Sequence, residues 1–282
     1  MPELPEVEIT VRRLDAALRG AEIESALAPG INALKTFAPP LEALAGLRID
    51  GVRRRGKQII VEAGGTLALL MHLMSAGRLQ LYDSRAGLRD RTSRLLVRIA
   101  DGRELRLREF GTKQAAWVKL LELDALAGEE SLTRLGPEAW PQPPADLGER
   151  LGEPRPLHAA LRDQHVVAGI GRSWVDEILW EARLSPFKRG SDLDAEELEV
   201  LSEAIVATLG RALEHYEEVI ELPIPDKLPM PLLVHRREGG PCPRCGATLA
   251  AVNYEDYVMS YCPECQTEGR VLKDRRLSRL LK

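Results

Sequence analysis

Two short stretches bring together residue types that can do chemistry. The chain opens MPELPEVE, so Glu3, Glu6 and Glu8 crowd around Pro2. A small residue in second place favours removal of the initiator methionine, which would leave Pro2 with a free secondary amine. Such an amine has a pKa near about 8, so a useful fraction is unprotonated at neutral pH. It can attack an electrophilic carbon and form an iminium ion, with a nearby carboxyl as acid or base. A Pro-Glu start is equally compatible with a frayed, unimportant terminus, and the rest of the chain has to decide between the two.

The second stretch holds all four cysteines, in CPRCGATLAAVNYEDYVMSYCPEC. The spacing C-x2-C-x16-C-x2-C suits two knuckles that present Cys242, Cys245, Cys262 and Cys265 tetrahedrally to one Zn²⁺. The alternatives are two disulfides or four idle thiols. A cytoplasmic setting disfavours the first, and the paired spacing disfavours the second. The pattern leaves no open coordination position, so the expected cofactor is one structural Zn²⁺, not a catalytic one.

A third signal is weaker. VVAGIGRSWVDEIL places Gly169 and Gly171 just before a helix. The helix would aim free N–H groups and its positive dipole end outward, a ready phosphate site, and Arg172 can add a charge-assisted contact. Ordinary helix packing explains a lone Gly-x-Gly as well.

The elements that must position these residues differ along the chain. Val7, Val11, Leu14 and Leu18 mark one face of an opening helix that Gly20 ends. Then IIVEAGGTLALLMHL, GRLQLY, RLLVRIADGRELRLREFG and QAAWVKLLEL read as strands and hairpins, which predicts a β-sandwich. GPEAWPQPPADLGERLGEP reads as a linker. Three amphipathic helical runs follow, the last capped by Ser191 or Asp194, and four prolines in ELPIPDKLPMP then forbid regular structure. The expected fold is multidomain α+β. An N-terminal β-sandwich with an opening helix covers 2–125, a linker 126–150 and a helical domain 151–234. A zinc-finger β-hairpin covers 235–266 and a basic tail 267–282.

The 282 residues carry a net charge of −4, which argues weakly against nucleic acid. The average hides a split: 20 Lys/Arg against 16 Asp/Glu over 1–125, 10 against 21 over 126–234, and 9 against 6 over 235–282. A polyanion meets local surfaces, so DNA stays open as a partner. No stretch approaches roughly 18 uninterrupted apolar residues, and the start lacks a signal-peptide pattern, so no membrane span and a cytoplasmic, nucleoid-associated location are expected.

Together the PELPEVE opening, RRRGKQIIVE, VVAGIG…DEIL and VHRREGGPCPRC resemble the bacterial formamidopyrimidine-DNA glycosylase and endonuclease VIII family, in order from Pro2 to about Gln266. The resemblance implies a helix–two-turn–helix domain and base-excision repair on damaged DNA by a monomer. The oxidised base is flipped out, the proline attacks C1′, the base leaves, and β- and δ-elimination cut the strand. It further implies that Pro2 is the nucleophile, Glu3 the proton donor and shuttle, and Glu6 a support for the opening helix. Lys57 and His72 would hold the phosphate near the lesion, Gly171 and Arg172 lie at the helix–two-turn–helix turn, and Glu177 helps to position the N-terminus. Met74, Arg108 and Phe110 would fill the hole left by the flipped base.

The chain departs from the family at several of these places. Arg172 stands where an Asn is usual, and Tyr257 where the hairpin usually carries an Arg. Glu109 replaces the usual Arg before Phe110, and Met74 is one place early on a gapless alignment, with Ser75 in its slot. The segment IELPIPDKLPMPLL is short where the formamidopyrimidine branch often has a longer loop over 8-oxoguanine, which puts that lesion in doubt as a substrate. TEGRVLKDRRLSRLLK, with six basic and two acidic residues, is either a DNA-facing tail or a frayed solvated end. Two readings of Arg172 and Tyr257 stay open: a compensating exchange of phosphate charge on duplex DNA, or a shift toward single-stranded DNA with Tyr257 stacking on a base. The function expected is a bifunctional glycosylase and AP lyase; the alternative is a catalytically weak or inactive damage-binding protein of the same fold.

Overall fold

Helix α1 (Leu4–Leu18) forms where the apolar spacing predicts it, and Val7, Val11, Leu14 and Leu18 are all buried. Each such side chain contributes about 1.5–3 kcal/mol on burial. The helix starts with a capping box: the Glu3 carboxylate accepts the Glu6 N–H, and the Glu6 carboxylate accepts the Glu3 N–H at 2.8 Å. Pro5 sits in the first turn, where a missing N–H costs nothing. The computed structural model describes residues 2–30, 32–87, 90–110, 114–253 and 257–272.

Eight strands follow: β1 (Ile23–Leu27), β2 (Ile49–Arg55), β3 (Gln58–Ala63), β4 (Leu67–His72), β5 (Gly77–Tyr82), β6 (Ser93–Ile99), β7 (Glu104–Glu109) and β8 (Trp117–Glu122). They make two four-stranded sheets with orders β1-β6-β7-β5 and β2-β3-β4-β8, antiparallel throughout. These are the two sheets of the expected N-terminal β domain. β1 and β2 were not among the runs read as strands. Each is an edge strand with a single neighbour and only a partial apolar face, so its alternation is faint. β7 and β8 lie in different sheets. α1 docks on β2, where Asp15 accepts the Val52 N–H at 2.7 Å and Arg54 pairs with Glu8 at 2.6 Å. The turn from β4 to β5 closes on Gly77: a Cβ there would come within 2.3 Å of the Leu73 carbonyl oxygen, so no other residue fits.

The chain divides into two compact units, Met1–Arg134 with Leu213–Pro229, and Leu135–Ala212 with Met230–Lys282. Short helix α2 (Glu130–Thr133) closes the first stretch. The second unit holds α3 (Leu147–Arg150), α4 (Leu157–Arg162), α5 (Arg172–Glu181) and most of α6 (Ala195–Val219). It ends in the hairpin β9 (Ala250–Asn253) and β10 (Val258–Tyr261) and the short helix α7 (Pro263–Thr267). Asp194, not Ser191, caps α6: its carboxylate accepts the Glu197 N–H at 2.8 Å, while the Glu197 carboxylate accepts the Asp194 N–H at 3.2 Å.

The stretch read as a linker is packed. Ala139, Leu147 and Leu151 are buried, and the backbones of residues 137–139 and 168 exchange hydrogen bonds at 2.7 and 3.0 Å. Apart from the short helix α3 the stretch is irregular, and its prolines and glycines do not exclude burial. No helix among the described residues is long and apolar enough to cross a membrane. Residues 273–282 of the basic stretch 267–282 lie outside the described residues.

Candidate active site and nucleic-acid interface

Glu3 and Glu6 are 2% and 3% exposed, unlike ordinary surface carboxylates at a chain start, and Pro2 directly precedes them. Glu6 accepts twice, from the Glu3 N–H through Oε2 and from the Tyr216 hydroxyl through Oε1 at 2.7 Å. Tyr216 is fully buried, and burial together with the Glu6 and Glu3 charges pushes its phenol pKa up, so it remains a proton donor. Glu8 is engaged elsewhere, with Arg12 and Arg54 at 2.7 and 2.6 Å. The three opening carboxylates therefore have three different settings. Tyr216 was missed from the sequence, where it is simply one more inward residue on an amphipathic helix.

Lys57 lies in the turn between β2 and β3 and is 7% exposed. His72 ends β4, paired in register with Gln58, the residue after Lys57. Burial and the Lys57 charge lower the His72 pKa to about 4, so the ring is neutral at physiological pH. Its Nδ1 accepts the Met74 N–H at 3.0 Å, which leaves Nε2–H as the donor. His72 also stacks on Trp117, with centroids 5.8 Å apart. Lysine charge and histidine donor thus lie side by side, an arrangement suited to a phosphate.

Met74 adopts φ +50° in the turn after β4, a left-handed conformation that costs a non-glycine residue about 1 kcal/mol. Gly77 pairs with Glu109, which Arg108 and Phe110 flank, so Met74, Arg108 and Phe110 lie at one end of the β5–β7 pair. The Arg108 guanidinium reaches Tyr82 Oη at 2.8 Å and Thr92 Oγ1 at 3.1 Å, and lies 4.6 Å from the Phe110 ring centroid. Glu109 is buried and accepts the Ala115 and Ala116 N–H groups at 2.6 and 2.9 Å. Its carboxylate holds backbone in place, a task that the usual Arg could not perform. The proline-rich segment is pinned to β5: Gln80 donates to the Ile224 carbonyl at 2.7 Å and to Asp226 at 2.8 Å, and Arg78 donates to the Asp226 carbonyl.

In the second unit, Gly169 takes φ +108° and Gly171 is the N-cap of α5, so the glycine turn does open a helix. Arg172 begins that helix, and its guanidinium carbon lies 5.2 Å from the centre of the Tyr257 ring. Arg162, at the end of α4, lies 4.2 Å from the same centre, and His158 stacks on the ring at 5.6 Å with 11° between planes. The two positions of changed type are therefore in contact, with a second cation, Arg162, that no motif had singled out. Beneath them, buried Asp176 accepts from or pairs with His158 Nε2 (3.1 Å), His235 Nδ1 (2.7 Å) and the Ser260 N–H (2.9 Å). This ties α4 and α5 to the hairpin. Burial, only partly offset by Asp176, lowers the His158 pKa. Glu177 is also buried, and its oxygens accept the N–H groups of Leu233, Val234 and His235 at 3.0, 2.9 and 2.8 Å. Burial pushes its pKa up against those three bonds. In its own unit Glu177 anchors the VHRREG segment.

The four Sγ atoms lie within 4.8 Å of one another; Cys242–Cys265 is 3.9 Å and Cys245–Cys262 is 3.5 Å. A disulfide requires about 2.05 Å. Four thiolates about 2.3 Å from one metal stand roughly 3.8 Å apart, so the donor set fits a tetrahedral ion. Trp180 packs beneath the cluster and its indole N–H reaches Cys242 Sγ at 3.4 Å.

Comparison with known proteins agrees with this arrangement. The family model described as the formamidopyrimidine-DNA glycosylase N-terminal domain matches residues 1–112, and that family's H2TH domain matches 137–223. A formamidopyrimidine-DNA glycosylase of Roseiflexus sp. (strain RS-1) is 32% identical, over 94% of this chain and 100% of its own length. The Lactococcus lactis Fpg in complex with DNA containing an abasic site superposes with a TM-score of 0.82 at 26% identity, over 94% of this chain and 99% of that one. A complex of the same bacterium's Fpg with Fapy-dG DNA gives 0.82 at 27%, over 94% and 100%.

Proposed function

This chain belongs to the formamidopyrimidine-DNA glycosylase family, and from that premise we propose that it is a base-excision-repair DNA glycosylase with AP lyase activity. The observation that carries the reading is the buried pair Glu3 and Glu6 fixed around the start of α1, directly beside Pro2. Buried carboxylates with defined partners at a chain start have no use in a frayed terminus.

Once Met1 is removed, the Pro2 amine attacks C1′ of the damaged nucleotide, the glycosidic bond breaks and the base departs with its electron pair. The amine nitrogen gives up its proton to a neighbouring carboxylate, for which Glu3 is next in sequence; the C1′–O4′ bond then breaks as the nitrogen lone pair forms the iminium ion, and O4′ takes up that proton, which leaves Pro2 linked to the opened sugar. Loss of the C2′ proton then expels the 3′-phosphate, and a second elimination expels the 5′-phosphate. Glu6 accepts from the Glu3 N–H and the Tyr216 hydroxyl, and it supports helix and cation without shuttling the proton. Lys57 supplies charge and neutral His72 one N–H to a phosphate beside the lesion. Met74, Arg108 and Phe110 occupy the space that the flipped base vacates.

The helix–two-turn–helix turn and the hairpin grip the backbone. Gly171 opens α5 toward it, and Arg162 and Arg172, held on the Tyr257 ring, together carry the phosphate charge. Zn²⁺ held by Cys242, Cys245, Cys262 and Cys265 would brace the hairpin and take no part in the chemistry. The protein acts as a monomer on duplex DNA; Arg162, Arg172 and His158 already lie against the Tyr257 ring that a single-strand reading would offer to a base.

Borohydride trapping on a panel of single-lesion duplexes tests the reading. A covalent adduct on an abasic duplex, and on at least one oxidised base, supports it. Normal DNA binding with no adduct on any duplex would transfer support to the damage-binding alternative. Metal analysis of the same preparation should give about one zinc per chain; metal-free protein that binds DNA normally would remove that part.

A further inference from the structure

Tyr216 has no assigned part in the chemistry, yet it is the fully buried partner of a carboxylate at the start of α1. It lies 210 residues from Glu6 along the chain, and its hydroxyl donates to Glu6 Oε1 at 2.7 Å. The other oxygen of Glu6 accepts the Glu3 N–H at 2.8 Å. That N–H belongs to the peptide that joins Pro2 to Glu3, and the proline nitrogen is attached to the Cα at the near end of the same peptide plane. The hydroxyl, the carboxylate and the peptide therefore form a chain of contacts that ends one covalent step from the amine.

A buried carboxylate needs donors, and the phenol and the peptide N–H are two that hold Glu6. Without the phenol that bond is lost, and the rotamer that holds the Pro2–Glu3 peptide is less firmly dictated. Small displacements of a reacting group are expensive: about 1 Å can cost roughly a hundredfold in rate.

We propose that Tyr216 is a positioning residue for the N-terminal amine, acting through Glu6 to hold the Pro2–Glu3 peptide in one orientation. This rests on the reading of Pro2 as nucleophile. Tyr216 touches neither DNA nor the reacting atoms in this scheme, and its effect is on rate, not on affinity.

The test uses the full-length mature protein and the conservative variant Tyr216→Phe, which removes one oxygen. Single-turnover trapping on an abasic duplex should fall about ten- to a hundredfold, with the DNA Kd within about twofold. In a Glu6→Gln background the same Tyr216→Phe change should have no further effect. A deficit that persists in the Glu6→Gln background overturns the proposal, as does an unaltered rate. A second readout does not depend on turnover: with ¹³C-labelled proline, the titration of the Pro2 ring carbons in the free protein should shift between wild type and Tyr216→Phe. If the wild type traps nothing, the proposed activity falls, and this titration still decides the inference; identical titration curves would overturn it.

Discussion

The amine corner and the cationic cluster are built on opposite principles. At the start of α1 each carboxylate is held by short, directional hydrogen bonds or ion pairs in a buried setting. Around Tyr257 the groups gather on one ring, with two guanidiniums at 4.2 and 5.2 Å from its centre and an imidazole at 5.6 Å. The first arrangement fixes a proton and an angle. The second fixes only a region of positive charge. Chemistry at C1′ needs the former, because proton transfer and attack fall off steeply with misplacement. Contact with a phosphate needs only the latter, because charge neutralisation depends weakly on which cation supplies it. On the proposed reading, that is how side-chain types at the second site, Asn to Arg and Arg to Tyr, can be exchanged while the phosphate contact is kept.

The strongest way to break the comparison is at the amine. Pro2→Gly should lower the trapped adduct by on the order of a hundredfold or more, since it alters the nucleophile itself, while the DNA Kd changes by less than about threefold. Intact mass should show Met1 absent from active protein; active protein that retains Met1 would end the proposal.

A second test uses pH, again in the first unit. The His72 pKa is lowered to about 4 in the fold, against about 6.5 in an unfolded chain. A depressed histidine contributes stability that is present above the unfolded value and is lost as pH falls toward the folded one. Between about pH 6.5 and 4 His72 should therefore account for about 3 kcal/mol of lost stability. Chemical denaturation of wild type and His72→Asn across that window should show a shallower acid loss in the variant. Parallel curves would mean that the ring is not buried as described.

The smallest expected effect lies in the cluster. Tyr257→Ala removes two cation–π contacts worth about 0.5–1 kcal/mol each, so duplex affinity should fall about five- to thirtyfold. Tyr257→Arg should also weaken binding, because a third cation would be set against Arg162 and Arg172. From the sequence, with Arg162 unknown as a neighbour, the opposite sign would have been expected. Arg162→Ala should reduce the salt dependence by roughly one phosphate's worth. Titrations at several salt concentrations read all three, and a Tyr257→Arg protein that binds more tightly would sink the stacked-cation account.

Much of the site was legible because it is local. The Glu3–Glu6 capping box is an i, i+3 relation, the face of α1 a repeat of about 3.6 residues, and the metal site two pairs with the same spacing. Each such relation leaves a pattern in the chain itself. The interior strands and the edge strands β5 and β8 were legible by their apolar runs, whereas β1 and β2 bury only a partial apolar face and left no such run. Composition misled at residues 137–151, where prolines marked irregular backbone and burial went unseen.

What the sequence alone determined is the inventory: an amine with carboxylates beside it, four thiols spaced for one metal, a glycine turn that opens a helix. What only the tertiary structure decided is which distant group completes each. Tyr216 meets Glu6 across 210 residues, and Arg162 and His158 meet Tyr257 across nearly a hundred. Contacts at that separation are set by how helices and hairpin pack. Packing leaves no periodicity in the sequence, because it depends on the shapes of whole elements and not on the spacing of residues within one.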